Sequence, residues 1–486
     1  MSHVLMEENR EKVRRLLRRG IYDDISLSGW GRLDDFVAMM VGLGIFDIFS
    51  QIRPRDRSWI IPRWFIYNSL AIKEVLGEAS LNGIQDGMFR DDHVLRLIGC
   101  TARQIREGFD RDRNKGDNKP CNIDSLSYGI GFTPRSEIVK AFGSSIKAIA
   151  KTGILKASNG TFIMDSTKIL LDGEYEGMGQ LTKIKQVLTE QGDLIREITI
   201  ERGFKLCTIN LLYRGRLICV GARLIPINEH EITTSDELLE EAEQLLGAGA
   251  IRVLLLDRGY MDGERFSRWK EGGIDIIIPL KSNMTILEDM QGLASIGEGL
   301  RVEDRENGLE LLGFEELETL ESYDGYLSGL VVTKFRAKQI PPERQWGFIT
   351  TLPLNTPKRV LRAYSRYDDR SLIENKEYRE MKQGWHLKRF SGKGTESIYC
   401  HIYFCLIMFN LVGIYLEGLG DEFRNYGIRR LRRGQLSTPL RIIVYVDRYF
   451  ASFSIREFMT ILARPPTGNN QDVRRIFGKP PKGLSF

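Results

Sequence analysis

A run of four aliphatic residues, Val253–Leu256, is followed directly by the carboxylate of Asp257. A run without polar alternation is typical of a strand buried on both faces, in a sheet that helices cover on both sides. Other strand-like and helical segments surround it: strands at 162–171, 206–213, 217–226 and 274–280, and helices at 235–246 and 263–271. This order predicts an α/β fold, a mixed sheet with flanking helices.

A second acid, Asp165, interrupts the apolar run Thr161–Leu171. A charge in a buried strand costs several kcal/mol unless a partner compensates it. Each acid also has an ordinary explanation: Asp165 caps a turn, and Asp257 opens a β-turn in which Gly259 supplies a positive φ. Two such carboxylates in apolar strands nevertheless suggest a bound cation.

The third acid, Glu374, lies in a charged segment that we predict to be helical, Tyr367–Tyr378. At about 100° per residue, Arg370 and Tyr378 would lie near the Glu374 face of an α-helix. Arg370 and Glu374 alone are explained equally well as an ordinary surface pair. Three acids from separate elements, however, suffice to bind two divalent cations of the magnesium type, which prefer carboxylate oxygens.

The chain of 486 residues is too long for one core and predicts several regions. We expect a helical N-terminal region at 1–150, a catalytic core at 151–284 and 355–423, a β-rich insertion at 285–354, and a basic C-terminal region at 424–486. The last has thirteen Lys or Arg against three Asp or Glu. Such an asymmetry favours a polyanionic partner, although solvated surface charge explains it too.

The six cysteines show no paired spacing, which excludes a disulfide framework and fits a reducing cytoplasm. We reject a metal site at Cys400, His401 and Cys405, because positions i and i+5 do not share a helix face. The apolar stretch Ile402–Leu416 is shorter than the about 20 residues that span a bilayer, so we predict a buried core helix and no membrane association.

Together, Asp165-Ser-Thr, Asp257-Arg-Gly-Tyr and Tyr367-x2-Arg370-x3-Glu374 resemble the three catalytic blocks of DDE transposases from bacterial and archaeal insertion sequences. The likeness is to the class whose third block carries a Tyr-Arg-Glu-Lys signature. The separations of 92 residues (Asp165 to Asp257) and 117 residues (Asp257 to Glu374) also resemble that class. The resemblance covers about 160–420, and it implies a ribonuclease-H-like core split by the β-rich insertion.

The resemblance also implies roles for individual residues. Asp165, Asp257 and Glu374 would be the catalytic metal ligands, with Mg²⁺ as the cation and Mn²⁺ as an alternative. DNA contacts would come from Tyr367 and Arg370 and from two lysines, Lys281 and Lys382. Met381 occupies the position of the family's lysine and Lys382 follows it, so this lysine is one position out of register. Lys281 is explained equally well as a solvated lysine at a strand end.

The function that the resemblance implies is cut-and-paste transposition. Water activated by Mg²⁺ would cleave double-stranded DNA at the element's end, and the freed 3′-hydroxyl would attack target DNA. The N-terminal region would recognise terminal inverted repeats, and a homodimer would hold two ends together. Two alternatives stay open: a catalytically idle DNA-binding protein derived from a transposase, and a metal-dependent nuclease of the same fold. We expect a cytoplasmic location, at the nucleoid when DNA is bound.

Overall fold

The computed structural model describes residues 7–55, 61–109, 120–154, 158–188, 194–334 and 345–463. The chain forms two compact units, one of Met1–Ala148 and Met381–Phe486, and one of Ile149–Glu380. Residues 110–119, and the basic residues from Arg464 onwards, lie outside the described residues.

The helices follow one another along the chain as α1 (Arg10–Leu17), α2 (Leu33–Gly42), α3 (Ile45–Gln51), α4 (Arg63–Leu76), α5 (Leu81–Asp86), α6 (Asp92–Leu97), α7 (Ala102–Glu107), α8 (Ile123–Gly131), α9 (Arg135–Ala150), α10 (Ser235–Leu246), α11 (Gly263–Glu271), α12 (Thr285–Ser295), α13 (Pro357–Asp369), α14 (Arg379–Gly384), α15 (Thr395–Leu419), α16 (Ile428–Leu431) and α17 (Ile455–Leu462). Two π-helices, Ile373–Tyr378 and Arg432–Leu436, follow α13 and α16.

The strands, in the same order, are β1 (Glu7–Glu8), β2 (Asp24–Ser28), β3 (Thr161–Leu170), β4 (Gly179–Leu188), β5 (Leu194–Tyr213), β6 (Arg216–Pro226), β7 (Val253–Leu256), β8 (Asp275–Pro279), β9 (Leu300–Asp304), β10 (Leu309–Leu317), β11 (Leu327–Lys334), β12 (Gln345–Thr350), β13 (Arg441–Val446) and β14 (Tyr449–Phe453).

The unit Ile149–Glu380 is built on a mixed sheet of ten strands in the order β4-β5-β3-β7-β8-β12-β11-β10-β9, with β6 also paired to β5. β3, β7 and β8 are parallel, and the other pairs are antiparallel. All four residues of β7 are buried, as its aliphatic run predicts. The mixed α/β class predicted from the sequence is confirmed for this unit.

Two parts of this sheet differ from the prediction. The span between the predicted strands at 162–171 and 206–213, for which no strand is predicted, forms β4 and the first half of β5, paired from Gly179↔Gly203 to Leu188↔Leu194. The segment 285–354 begins with α12, and its strands extend the central sheet, because β12 pairs with β8. The predicted β content is therefore present, but it does not form a separate sheet.

One face of the sheet is packed under α13. Val360 and Ala363 of this helix are buried against Leu255 of β7, Ile277 of β8 and Phe348 of β12. Burying one such aliphatic or aromatic side chain stabilises a fold by about 1.5–3 kcal/mol. This contact fixes the end of α13, and with it the start of the segment that carries Arg370 and Glu374.

The other unit contains a four-stranded sheet in the order β1-β14-β13-β2, so the first and last described parts of the chain share one sheet. Its core joins Val13 and Leu17 of α1 to Phe458 and Ile461 of α17. The N-terminal region is therefore mostly helical, as predicted, but also contains two strands. The regions expected at 1–150 and 424–486 fold together, and residues 381–423 belong to the same unit.

Helix α15 has 25 residues, longer than the predicted apolar segment at 402–416, and most of its side chains are buried in this unit. By length and composition alone it is apolar enough to cross a membrane, and it is the one such helix among the described residues. Aromatic contacts with α3 and α4, Phe49–Phe404 and Tyr67–Phe404, show that it packs as a core helix.

Candidate catalytic site

The two aspartates become neighbours through strand register. Met164 of β3 lies opposite Leu256 of β7 in parallel pairing. Asp165, the next residue of β3, and Asp257, the first residue after β7, are therefore neighbours at the carboxyl end of β7. Asp165 is buried within β3, whereas Asp257 lies directly beyond the end of β7. The carboxyl ends of parallel strands meet at one edge of a sheet, and this is where ligands bind in open α/β sheets.

Glu374 and the two aspartates surround a single guanidinium nitrogen. Nη1 of Arg370 lies 3.5 Å from Oδ2 of Asp165, 3.3 Å from Oδ1 of Asp257 and 3.4 Å from Oε1 of Glu374. Among the described residues this nitrogen has no hydrogen-bond partner, so the three contacts are electrostatic. The structure thus brings together the three predicted acids and one of the four predicted DNA-contacting residues.

The three carboxylates differ in their access to solvent. The side chain of Asp165 is 9% exposed, that of Glu374 59%. Burial, and after it the neighbouring Asp257 carboxylate, raises the pKa of Asp165 to about 7, although a backbone hydrogen bond from Ser166 and the charge of Arg370 act against this. The pocket is therefore short of positive charge even with Arg370 in place.

The donor set fits a hard divalent cation. All three groups are carboxylates, the oxygen ligands that Mg²⁺ and Mn²⁺ prefer over imidazole or thiolate sites. A cation already occupies their common centre in the form of the Arg370 guanidinium. A bound metal would take over the same role, because it lowers the electrostatic cost of ionising the buried Asp165.

The helix after α13 differs from the α-helical geometry that the sequence predicts. Residues Ile373–Tyr378 form a π-helix, so the face that a side chain occupies no longer follows a period of 3.6 residues. Glu374 is exposed, whereas Tyr378 is buried and its hydroxyl lies 3.0 Å from that of Thr208. That Tyr378 shares the Glu374 face stays a prediction, although the two side chains differ in exposure.

A fourth acid near the site, Glu377, was missed by sequence reasoning. Glu377 is fully buried, and neither carboxylate oxygen has a hydrogen-bond partner among the described residues. The nearby hydroxyl of Thr208 is already engaged by Tyr378 and by the amide of Asn210, at 2.9 Å. Burial, and then the charge of Asp165, raises the pKa of Glu377 well above its usual range.

Sequence position alone does not distinguish Glu377, because Glu374, Glu377 and Glu380 recur every three residues along one charged helix. The one local signal is the pair of largely apolar residues Ile373 and Tyr378, which favours burial of this part of the helix. The π-helical turn, which no sequence pattern marks, decides which glutamate is buried.

The other predicted DNA contacts differ in their surroundings. Tyr367 is partly buried, and its ring stacks on Phe348 at a centroid distance of 4.8 Å. Lys281 is exposed beyond the end of β8. Lys382 is exposed on α14 and belongs to the other compact unit. Their roles on DNA stay predictions.

Gly259, in the Asp257-Arg-Gly-Tyr block, does not adopt the positive φ expected of a β-turn. The block forms a 3₁₀ turn, Arg258–Tyr260. A Cβ atom at Gly259 would lie 2.6 Å from Oε1 of Glu231, so a side chain here would displace the end of that glutamate. Tyr260 is buried beneath this turn. The block therefore packs tightly where Asp257 leaves β7.

The described residues contain one set of His, Cys, Asp and Glu atoms that all lie within 4.8 Å of one another: Glu74, His401 and Cys405, in the other unit. Nζ of Lys73 lies 2.7 Å from Oε1 of Glu74, and His401 directs its two ring nitrogens at different partners, Nδ1 at Glu74 and Nε2 at Cys405. An ammonium group beside Glu74, and an imidazole whose two nitrogens contact different residues, do not suit a metal site. The rejection of a metal at Cys400, His401 and Cys405 stays a prediction, and sequence reasoning missed Glu74.

Three comparisons relate the chain to known proteins. The family model described as "Transposase DDE domain" matches residues 156–411, a span that contains all three carboxylates. A comparison with curated proteins finds no match. Among solved structures, the chain is similar to a piggyBac transposase synaptic complex with hairpin DNA, with 10% sequence identity and a TM-score of 0.36, over 94% of this chain and 84% of that chain.

Proposed function

This chain belongs to the transposase DDE domain family, and we propose on that premise that it cleaves DNA at the ends of a mobile element and joins the freed ends to target DNA. Both steps are phosphoryl transfers. In the first, water attacks the phosphodiester and a 3′-hydroxyl leaves; in the second, that hydroxyl attacks a target phosphodiester and displaces another 3′-oxygen.

The observation that carries the proposal is the convergence of three carboxylates on one point. Oxygens of Asp165, Asp257 and Glu374 all lie within 3.5 Å of Nη1 of Arg370, although the three acids come from different elements. Surface ion pairs contribute about 0–1 kcal/mol and give no reason to gather three acids, one of them buried. A cation-binding role gives that reason.

In the proposed mechanism Asp165, Asp257 and Glu374 would hold Mg²⁺, or Mn²⁺ in its place. Divalent cations bound there would supply an activated water and charge stabilisation for the leaving oxygen. Asp165 is held rigidly in β3 by strands on both sides, whereas the exposed Glu374 is free to adjust to the DNA. Arg370 would release the carboxylates and turn to a phosphate, which its guanidinium binds through two parallel hydrogen bonds.

Several finer features belong to the same proposal. The strand order β6-β5-β3-β7-β8, with β3, β7 and β8 parallel, supports a ribonuclease-H-like core. The third block, Tyr367-x2-Arg370-x3-Glu374, supports the insertion-sequence class, although Met381 stands where that class has lysine. We further propose cut-and-paste transposition by a homodimer that binds terminal inverted repeats, in the cytoplasm, where the nucleoid provides the DNA.

The test is cleavage and joining of a duplex that carries the inverted repeats flanking the gene, with Mg²⁺, by the wild-type chain and by Asp165→Asn, Asp257→Asn and Glu374→Gln. Asp368→Asn, an exposed acid on the same helical segment, is the matched control. We expect all three site variants to lose cleavage while still binding DNA, and the control to retain it. Cleavage by any site variant contradicts the assignment. Cleavage without joining by wild type indicates a nuclease, and end binding without cleavage indicates an idle DNA-binding protein.

A further inference from the structure

The first half of β5 forms a two-stranded ribbon with β4. Residues 194–203 of β5 pair with 179–188 of β4, and β3 and β6 pair with β5 only from Gly203 and Phe204 onwards. Within the described residues, the other edge of this part of β5 has no partner strand. A two-stranded ribbon without a covered face is marginally stable alone.

One face of this ribbon is apolar at its centre and basic at its ends. Ile184 and Ile198 lie directly opposite each other, with Ile200 beside them, and these three side chains are 62%, 63% and 52% exposed. By strand alternation the same face carries four more exposed residues: Gln180, Thr182, Arg196 and Arg202. No described residue of this face, which we call the ribbon face, is acidic.

The opposite face of the ribbon has a different composition. It carries Glu197 and Glu201, and the latter is paired with Lys183 and with Lys168 of β3, whose Nζ lies 2.7 Å from Oε2 of Glu201. The acidic residues among the described ribbon residues therefore all lie on the face opposite the ribbon face, where Lys168 and Lys183 neutralise Glu201. Within the described ribbon residues, no carboxylate lies on the same face as the two arginines.

The ribbon face lies on the same side of the sheet as Asp165. Asp165 is paired directly with Thr208 of β5, and residues of even number on β5 share that side. The alternation of side chains along β5 continues across Gly203. By this alternation Lys168 of β3 and Glu201 of β5 both lie on the side opposite Asp165, and their ion pair agrees with that placement. The exposed face therefore continues the surface on which the carboxylates of the site lie.

We propose that the ribbon face binds duplex DNA, as an extension of the proposed function on which it rests. The major groove admits a two-stranded β-ribbon, and its floor presents thymine methyl groups that isoleucine side chains contact favourably. Arg196 and Arg202 are placed at the two ends to reach phosphates on either side of the groove, and Gln180 and Thr182 can hydrogen-bond to base edges.

Charge favours DNA over a second copy of the chain. Packing two ribbon faces together would bring arginines together with no carboxylate to pair them, which is unfavourable when they are desolvated. A polyanion meets the same surface with complementary charge and leaves the isoleucines against base edges. An interface between copies is accordingly the competing outcome of the test.

The test is the binding of a fluorescein-labelled duplex of about 40 base pairs to the full chain, followed by anisotropy over a series of salt concentrations. Arg196→Ala with Arg202→Ala should weaken binding by roughly tenfold and reduce the salt-dependence slope by about 2, one for each phosphate that is no longer neutralised. Arg301→Ala with Arg305→Ala removes the same charge from exposed positions of the same unit, and should leave the slope unchanged. Arg196→Lys with Arg202→Lys should retain most of the slope.

A triple variant, Ile184→Ser, Ile198→Ser and Ile200→Ser, tests the apolar centre, with sedimentation as a second measurement. We expect weaker DNA binding and an unchanged sedimentation coefficient without DNA. Equal affinity and slope for wild type and the double arginine variant would overturn the ribbon proposal and leave the catalytic proposal standing. A triple variant that loses self-association but keeps its DNA affinity would also overturn it, in favour of an interface between copies. A wild-type chain that binds no duplex would overturn both.

Discussion

Nη1 of Arg370 lies 3.5 Å from Oδ2 of Asp165, a carboxylate buried in the middle of β3. The same nitrogen is equally near to Asp257 and Glu374, so one positive charge serves three negative ones. Removing a partner of a buried charge costs about 3–5 kcal/mol when the remaining charge stays unpaired. The partial exposure of Asp257 and Glu374 reduces the cost at this site.

We expect Arg370→Gln to lower the free energy of unfolding by about 1–3 kcal/mol in EDTA at about pH 8, above the pKa of Asp165, because the three carboxylates then repel one another without compensation. The same variant should bind Mn²⁺ more tightly than wild type, since no guanidinium competes for the carboxylates. Urea unfolding and calorimetric titration with Mn²⁺ measure the two effects. Arg362→Gln, exposed on the same helix, is the control. Equal Mn²⁺ affinity in wild type and Arg370→Gln would show that the guanidinium and the metal do not share a position.

Asp165 makes stability depend on pH. Because its pKa is raised from 3.8 to about 7 in the folded chain, the folded state holds a proton that the unfolded state releases. Stability from this group is therefore present below about pH 4 and is lost as the pH rises through about 7, by up to about 4 kcal/mol.

The asparagine of Asp165→Asn does not titrate. The free energy of unfolding of this variant relative to that of wild type, measured in urea with EDTA at each pH, should therefore increase between about pH 4 and 7. Mg²⁺ should then stabilise wild type at about pH 8 and leave the variant unchanged, because the variant lacks one ligand. A constant difference between the two proteins across this range would contradict the raised pKa of Asp165.

The three carboxylates were predictable because each carries a local signal. An acid after Val253–Leu256 and an acid inside Thr161–Leu171 conflict with simple burial, and Glu374 is marked by its place four residues after Arg370 in a charged segment. The register that joins Met164 to Leu256 then follows from parallel pairing of adjacent strands. Sequence could not show that Arg370 would lie among the carboxylates, because the end of α13 and the π-helix after it set its position.

The parts that were missed depend on distant or unmarked contacts. Ile25 of β2 pairs with Val444 of β13, and no local pattern near either residue signals a partner so far along the chain. The ribbon of β4 and β5 was missed although Ile198 and Ile200 alternate with Glu197 and Thr199. These residues are exposed on both faces of the ribbon, so the alternation does not identify a buried face.

The side chain of Thr208 in β5 contacts Tyr378 of the π-helix, so replacing Thr208 should destabilise the packing of the π-helix on the sheet. Its hydroxyl lies 3.0 Å from that of Tyr378 and accepts a hydrogen bond from the amide of Asn210. Thr208→Val keeps the shape but leaves two buried polar groups without a partner, which costs about 1–3 kcal/mol. Thr208→Ser retains the hydroxyl and should lose less. A larger loss of unfolding free energy in Thr208→Ser than in Thr208→Val, measured in urea, would assign the effect to the methyl group instead of the hydroxyl.

Lys73 and Glu74 form a fully buried ion pair in the other compact unit, at 2.7 Å, and Glu74 also lies 3.3 Å from Nδ1 of His401. Burial alone would raise the pKa of Glu74, but the charge of Lys73 and the contact with His401 outweigh burial and lower this pKa to about 2, so the carboxylate is ionised. Lys73→Met should therefore cost about 3–5 kcal/mol, because it leaves a buried negative charge. Adding Glu74→Gln to Lys73→Met removes that charge and should recover part of the loss in urea unfolding. If the double variant is less stable than Lys73→Met alone, Glu74 is held mainly by His401, and the lysine is not the partner that keeps it charged.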